Sequence, residues 1–326
     1  MKALTFDDVL LIPSYNHYDS RKVVTTQMID KTEKLVLDLP VMSANMDTIT
    51  GHKMAKFMHE KGAIGVLHRF MTIEKNIEEY EKHRSVIVSV GCGDEEFKRL
   101  DALYMAGATY ICIDVAHAHS KYVGKMLKRA RDLVGDNVCI IAGNVATYAG
   151  ADYLVSCGAD IVKVGIGSGS VCTTRVKTGF GVPMITAIQD CAKINRSIIA
   201  DGGIRYPGDI VKALAFGADF VMIGSMLAGT KPTPNWQAGT VCYRGMASRD
   251  VLEENNKDSK WKTDEGISVS FDARRDEDKI ISDIVGGLRS GLTYSGSINI
   301  RELQRKLNYL EISNSGLIES HAHFKI

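Results

Sequence analysis

The stretch 161-IVKVGI-166 is a nearly continuous apolar run that opens into a glycine-rich loop, 167-GSGSVCTTRVKTGFGVP-183. A strand that does not alternate apolar with polar residues has both faces covered, which is the condition of a parallel strand in an α/β protein. Seven other runs share that character: 39-LPVMSAN-45, 62-GAIGVLH-68, 86-VIVSVG-91, 110-YICID-114, 138-VCIIAG-143, 198-IIADGG-203 and 220-FVMIGS-225. Patterns of helical period separate them, as in 49-ITGHKMAKFMHEKG-62, 94-DEEFKRLDALYMAG-107, 119-HSKYVGKMLKRARDLV-134 and 207-PGDIVKALAFGA-218.

Several helices end at Gly62-Ala63, Gly107-Ala108, Gly158-Ala159 or Gly217-Ala218. Glycine there can take the left-handed conformation that closes a helix. Eight strand-helix units in series predict an α/β fold of the (β/α)8 TIM barrel type, with the active site at the C-terminal ends of the strands. A doubly wound open sheet is the alternative. Residues 1–326 read as one catalytic domain. Residues 230–276 lack an apolar pattern and read as an excursion carrying an active-site flap. A helical period resumes over 277–290, and the tail from 312 looks irregular.

Lys plus Arg number 40 against 39 Asp plus Glu, so no overall field exists to hold a nucleic acid or an anionic membrane. No apolar stretch approaches the roughly 18 to 20 residues of a membrane span. The seven cysteines show no CxxC and no regular spacing, which argues against a disulfide framework. With no leader-like run at Met1, the chain reads as cytoplasmic.

The loop after the sixth strand is the richest in chemistry. Its glycines let backbone amides approach a ligand, Ser170 can add a hydroxyl to an anion cradle, and Cys172 is the candidate nucleophile. Cys92, Cys112, Cys139, Cys157, Cys191 and Cys242 lie in or beside apolar elements and read as buried small hydrophobes. After the seventh and eighth strands, Gly202-Gly203 and Gly224-Ser225 supply amides where barrels often bind phosphate, and Asp201 can accept from ribose hydroxyls. Two other chemistries are weaker fits. His117, His119, His321 and His323 make a poor zinc set, and Lys163 could serve an aldolase-type barrel only if the cysteine loop beside it were incidental.

The segments 6-FDDVLLIP-13, 45-NMDT-48, 114-DVAHAHS-120, 142-AGNV-145, 165-GIGSGSVCTTR-175, 200-ADGGI-204 and 243-YRGMAS-248 together resemble the IMP dehydrogenase/GMP reductase family, in family order and over nearly the whole chain. The resemblance implies a purine monophosphate, GMP or IMP, held by Ser170, Asp201, Gly202, Gly203, Gly224, Ser225, Tyr243 and Gly245. Its base is then read around Met246 and Ala247, and Cys172 attacks purine C2. It further implies a nicotinamide cofactor near Asp114, Ala116 and Asn144, a homotetramer, and a monovalent cation such as potassium on the carbonyls of Gly167, Gly169 and Cys172.

Within the family, the reductase branch fits better. No regulatory insert follows 72-TIEKNIEEYEKHR-84, and the flap 247-ASRDVLEENNKDSKWKTD-264 lacks the Arg-Tyr pair with which the dehydrogenase activates water. Lys260-Trp261 is a basic-aromatic pair near Glu265, in a position where reductases also place an aromatic residue. The resemblance then implies a Thr174-Glu265 dyad that protonates departing ammonia, with NADPH as hydride donor. Against it, 286-GGLRSGLTYSG-296 and 316-GLIESHAH-323 look dehydrogenase-like, so a dehydrogenase without the regulatory module is the alternative. Arg69 stands where the family usually has Lys; because Arg stays protonated, a proton relay there is not expected.

Overall fold

The computed structural model describes residues 2–236, 239–254, 263–273 and 276–322. Eight parallel strands close into a barrel: β1 (Val41–Ser43), β2 (Ile64–Leu67), β3 (Val86–Val90), β4 (Tyr110–Asp114), β5 (Cys139–Val145), β6 (Ile161–Val164), β7 (Ser197–Asp201) and β8 (Phe220–Ile223). Each pairs with its neighbours in chain order, and Val221 opposite Val41 closes the ring between β8 and β1. All eight lie within or next to the apolar runs. All five residues of β3 and all four of β6 are buried, as non-alternating sequence requires.

The intervening helices are α1 (His52–Glu60), α2 (Ile73–Lys82), α3 (Asp94–Met105), α4 (Lys121–Val134), α5 (Tyr148–Ser156), α6 (Thr174–Thr178), α7 (Met184–Cys191) and α8 (Pro207–Ala215). Their starts are set by local chemistry: the side chains of Thr72, Ser120 and Thr147 accept from backbone amides in the first turns of α2, α4 and α5. Their ends are equally explicit. Gly107 sits at φ 102°, donates to the Tyr104 carbonyl, and turns the chain from α3 toward β4. No insert separates α2 from β3, which are joined by residues 83–85.

The N-terminal mouth is covered by a short hairpin, Met28–Ile29 paired with Val36–Leu37. It is tied to the barrel through Lys31 N to Ser197 Oγ (2.9 Å), Lys34 Nζ to Asp160 (2.8 Å) and Tyr110 OH to the Lys34 carbonyl (3.2 Å). The two termini meet where Val9–Leu11 pairs antiparallel with Tyr309–Glu311. Among the described residues no helix is long and apolar enough to cross a membrane.

The excursion at 230–276 has more regular structure than its composition predicts. Its described parts include β9 (Thr240–Arg244), which pairs antiparallel with β10 (Ser268–Asp272), and α9 (Arg249–Glu254) between them. Helix α10 (Glu277–Tyr294) follows, capped by Asp276 and packed on α8. The tail also differs from expectation: Asn314–Glu319 forms a short helix capped by Ser313. Cys112, Cys139, Cys157 and Cys191 are buried, but Cys92 and Cys242 are only half-buried.

Candidate active site

A cavity of about 660 Å³ opens at the C-terminal ends of the strands. Every residue singled out from the sequence for catalysis, nucleotide, cofactor or monovalent cation lines it, from Asp114 at the end of β4 and Ala116 beyond it to Glu265 on the flap. Strand geometry brings them together. Asn144 lies in β5, the cysteine loop follows β6, Asp201 to Gly203 end β7, and Gly224 and Ser225 follow β8. At Gly165 an added Cβ would lie 2.0 Å from the Asp201 carbonyl, so only glycine lets the loops after β6 and β7 approach this closely.

The flap reaches the cysteine through backbone pairing. Thr173 N donates to the Glu265 carbonyl (2.9 Å), Glu265 N to the Ala247 carbonyl (2.9 Å), and Ile267 N to the Val171 carbonyl (3.0 Å). The segment around Glu265 is thus a rung between the cysteine loop and the 245–248 segment. Side-chain geometry completes the arrangement: Cys172 Sγ donates to Thr174 Oγ1 (3.1 Å), which donates to Glu265 Oε2 (2.7 Å). A thiol, a hydroxyl and a carboxylate in that order form a path along which one proton can move.

Ser170 Oγ and Tyr243 OH lie 3.1 Å apart beside the loops after β7 and β8, a hydroxyl pair suited to anion oxygens. Arg244, next to Tyr243, ties flap to barrel: Nε donates to Asp47 at 3.0 Å, and its terminal nitrogens donate to Glu254 of α9 at 2.8 and 2.6 Å.

Within the barrel mouth, Lys163 Nζ stands 2.8 Å from Asp114 and 2.6 Å from Asp201, and Asn144 Nδ2 donates to Asp201 at 2.9 Å. Burial would lower the lysine's affinity for a proton, but Asp114 and Asp201 outweigh it and push the ammonium up. A lysine held charged in this way is a poor Schiff-base nucleophile, so the aldolase alternative fails on this geometry. Burial likewise would raise Asp114; the charge and hydrogen bond of Lys163, with Arg69 and Asn45, hold it below the usual carboxylate range.

Arg69 also lines the cavity, its guanidinium 4.9 Å from the Phe70 ring centroid and 4.0 Å from Glu96. Further lining residues that sequence reasoning gave no site role include Phe70, Ser168, Leu252 and Thr263. Leu252 and Thr263 carried no signal, because nothing in the flap sequence says where it folds back. Lys260-Trp261 lies outside the described residues.

A closed parallel barrel that gathers a loop thiol, hydroxyls and glycine-rich loops at the C-terminal ends of its strands defines the class of barrel enzymes with the active site at that face. The family model for the IMP dehydrogenase / GMP reductase domain matches residues 3–323. The inosine-5'-monophosphate dehydrogenase of Cryptosporidium parvum is 36% identical, the match covering 99% of this chain and 95% of that protein. The GMP reductase of Buchnera aphidicola subsp. Acyrthosiphon pisum is also 36% identical, covering 95% of this chain and 94% of that protein. A crystal structure of inosine 5' monophosphate dehydrogenase from Legionella pneumophila superposes with a TM-score of 0.89 at 61% identity, over 97% of this chain and 100% of that one. The chain belongs to the IMP dehydrogenase/GMP reductase family and is an oxidoreductase of purine metabolism.

Proposed function

We propose that the protein is a GMP reductase, converting GMP to IMP and ammonia through a covalent bond between Cys172 and purine C2. The observation that carries this reading is the path from Cys172 through Thr174 to Glu265, with the flap backbone paired directly onto the cysteine loop. Breaking the C2–N bond of GMP needs a proton on the leaving nitrogen. Glu265 can take the thiol proton through Thr174 as sulfur attacks, then return a proton by the same route to the amine. A dehydrogenase must instead admit and activate water, and the sequence between Met246 and Glu265 holds no Arg-Tyr pair for that step.

The remaining roles follow the cavity's layout. Ser170, Tyr243, Gly202, Gly203, Gly224 and Ser225 offer donors to the phosphate, Asp201 accepts from ribose hydroxyls, and the backbone of Gly245, Met246 and Ala247 faces the base. Asp114, Ala116 and Asn144 would hold the nicotinamide cofactor, which we take to be NADPH. Its fit is supported by the cavity volume and by Asn144 Oδ1, which is buried without a hydrogen-bond partner. When bound, that cofactor would supply a hydride to C2, and the Cys172–C2 bond breaks so that IMP leaves and the thiolate is regenerated. Gly167, Gly169 and Cys172 are the carbonyls available to a monovalent cation. The Gly169 carbonyl already accepts the Cys172 amide at 3.1 Å, so potassium would have to share it or reshape the loop. A homotetramer of single-barrel subunits completes the proposal.

A second reading, IMP dehydrogenase without the regulatory module, has the Legionella pneumophila structure at 61% identity in its favour. Side-by-side assay of GMP with NADPH and IMP with NAD separates the two.

A further inference from the structure

Lys163 has no part in the reaction proposed above, yet it sits among groups that do. It is carried by β6, its side chain is 3% exposed, and its ammonium contacts carboxylates from two other strands, Asp114 of β4 and Asp201 of β7. Both carboxylates line the cavity and are 21% exposed. On the nucleotide reading, one faces the nicotinamide and the other the ribose of the substrate.

We propose that Lys163 is a positioning residue that joins Asp114 and Asp201 into one charge unit, so that both face the ligand as hydrogen-bond acceptors. With the ammonium in place the unit carries a net charge of minus one. Without it, two carboxylates would share a poorly solvated site, where like charges cannot both persist and the pair takes up a proton.

The other titratable or charged groups acting on this unit are few. Arg69 follows β2, with Glu96 behind it. Cys92 follows β3, and Cys112 lies on β4. Both thiols are pushed up by burial and stay protonated near neutrality. β5 contributes uncharged Asn144, which donates to Asp201 and to the Gly165 carbonyl, and Asn45 after β1 donates to Asp114. Among the described residues Arg69 is the other cation acting on Asp114, through its charge alone, whereas Lys163 adds a hydrogen bond, so Arg69 does not substitute for it.

A lysine that merely buttressed the barrel would give variants with a constant affinity deficit; a charge unit gives a pH-dependent one. This inference rests on the nucleotide reading, and the test separates the two. GMP affinity is measured by calorimetry from pH 6 to 8 for wild type, Lys163→Met, and the charge-balanced double variant Lys163→Met/Asp114→Asn. Because the phosphate of GMP itself titrates near pH 6, the readout is the ratio of variant to wild-type affinity.

For Lys163→Met that ratio should fall at least about threefold as pH drops from 8 to 6, since a proton competes with ribose hydroxyls for the same acceptor. It should be flat for the double variant. A flat ratio for Lys163→Met overturns the proposal. Should Lys163→Met not fold, the carboxyl carbon-13 resonance of Asp114 in the wild type decides: it should keep its ionised position from pH 8 down to 5, and titration within that window overturns the charge unit. Wild-type protein that binds neither GMP nor IMP removes the nucleotide reading, and the Asp114 resonance then still tests the unit.

Discussion

The Thr174 hydroxyl donates to Glu265 at 2.7 Å, although 91 residues separate them. The register of the flap makes this possible: Glu265 is fixed on both sides, its carbonyl to Thr173 and its amide to Ala247, so its carboxylate can point only a short way from the thiol. Glu265→Gln keeps the shape but cannot pass a proton. GMP turnover should fall about 10²- to 10⁴-fold, the range of a general acid–base group, while GMP affinity stays near normal. Thr174→Val breaks the same path and should give a comparable loss in steady-state kinetics; an enzyme near wild type would contradict the relay.

Cys172→Ala should abolish turnover and leave the fold and GMP binding largely intact, because a half-buried loop thiol contributes chemistry and little packing. Residual activity above about a thousandth of wild type would argue against covalent catalysis, since losing a nucleophile usually removes several orders of magnitude.

The hydroxyl pair Ser170 and Tyr243, 3.1 Å apart, together with the amides after β7 and β8, predicts that phosphate dominates recognition. Guanosine should bind far more weakly than GMP in calorimetry, and inorganic phosphate should compete with the nucleotide. Equal affinities for GMP and guanosine would remove the cradle.

His68, at the end of β2, is pushed down to about 4 by burial, against partial support from Asp47 and Glu79. Its ring nitrogen accepts from Phe70 N at 3.2 Å, a role for the neutral imidazole. The unfolded chain, with an ordinary histidine near 6.5, binds more protons between pH 6.5 and 4, so stability falls as pH drops through that window. One such group contributes a slope of up to about 1.4 kcal/mol per pH unit. Urea unfolding of His68→Gln between pH 4.5 and 6.5 should show a shallower pH slope than wild type; an unchanged slope would mean that His68 is not the group responsible.

How much of this was legible in the sequence depended on where the interactions lie. The barrel strands announced themselves because burial on both faces forces runs such as 86-VIVSV-90, and the helix ends because Gly107 and its counterparts stop a helix locally. The pair β9 and β10 was missed: β10 reads SVSFD, is mostly exposed, and finds its partner 28 residues away by a pairing no local pattern encodes. Arg244 with Asp47, 197 residues apart, was equally silent. Lys163 was visible only as a remote aldolase candidate, and its actual partners were not, because sequence does not say that β4 and β7 present carboxylates to β6. The residues that line the cavity were singled out partly from the glycine and cysteine pattern of the strand-end loops and partly from the family resemblance, which supplied Thr174, Glu265, Met246 and Ala247.

The central claim is that the flap delivers a proton to ammonia instead of activating water. Purified protein should therefore be given GMP with NADPH in one assay and IMP with NAD in another, following absorbance of the reduced nicotinamide and identifying the purine product by chromatography. IMP and ammonia should form from GMP at a rate well above any formation of XMP from IMP. Ready production of XMP with GMP left untouched would contradict this and make the dehydrogenase reading correct.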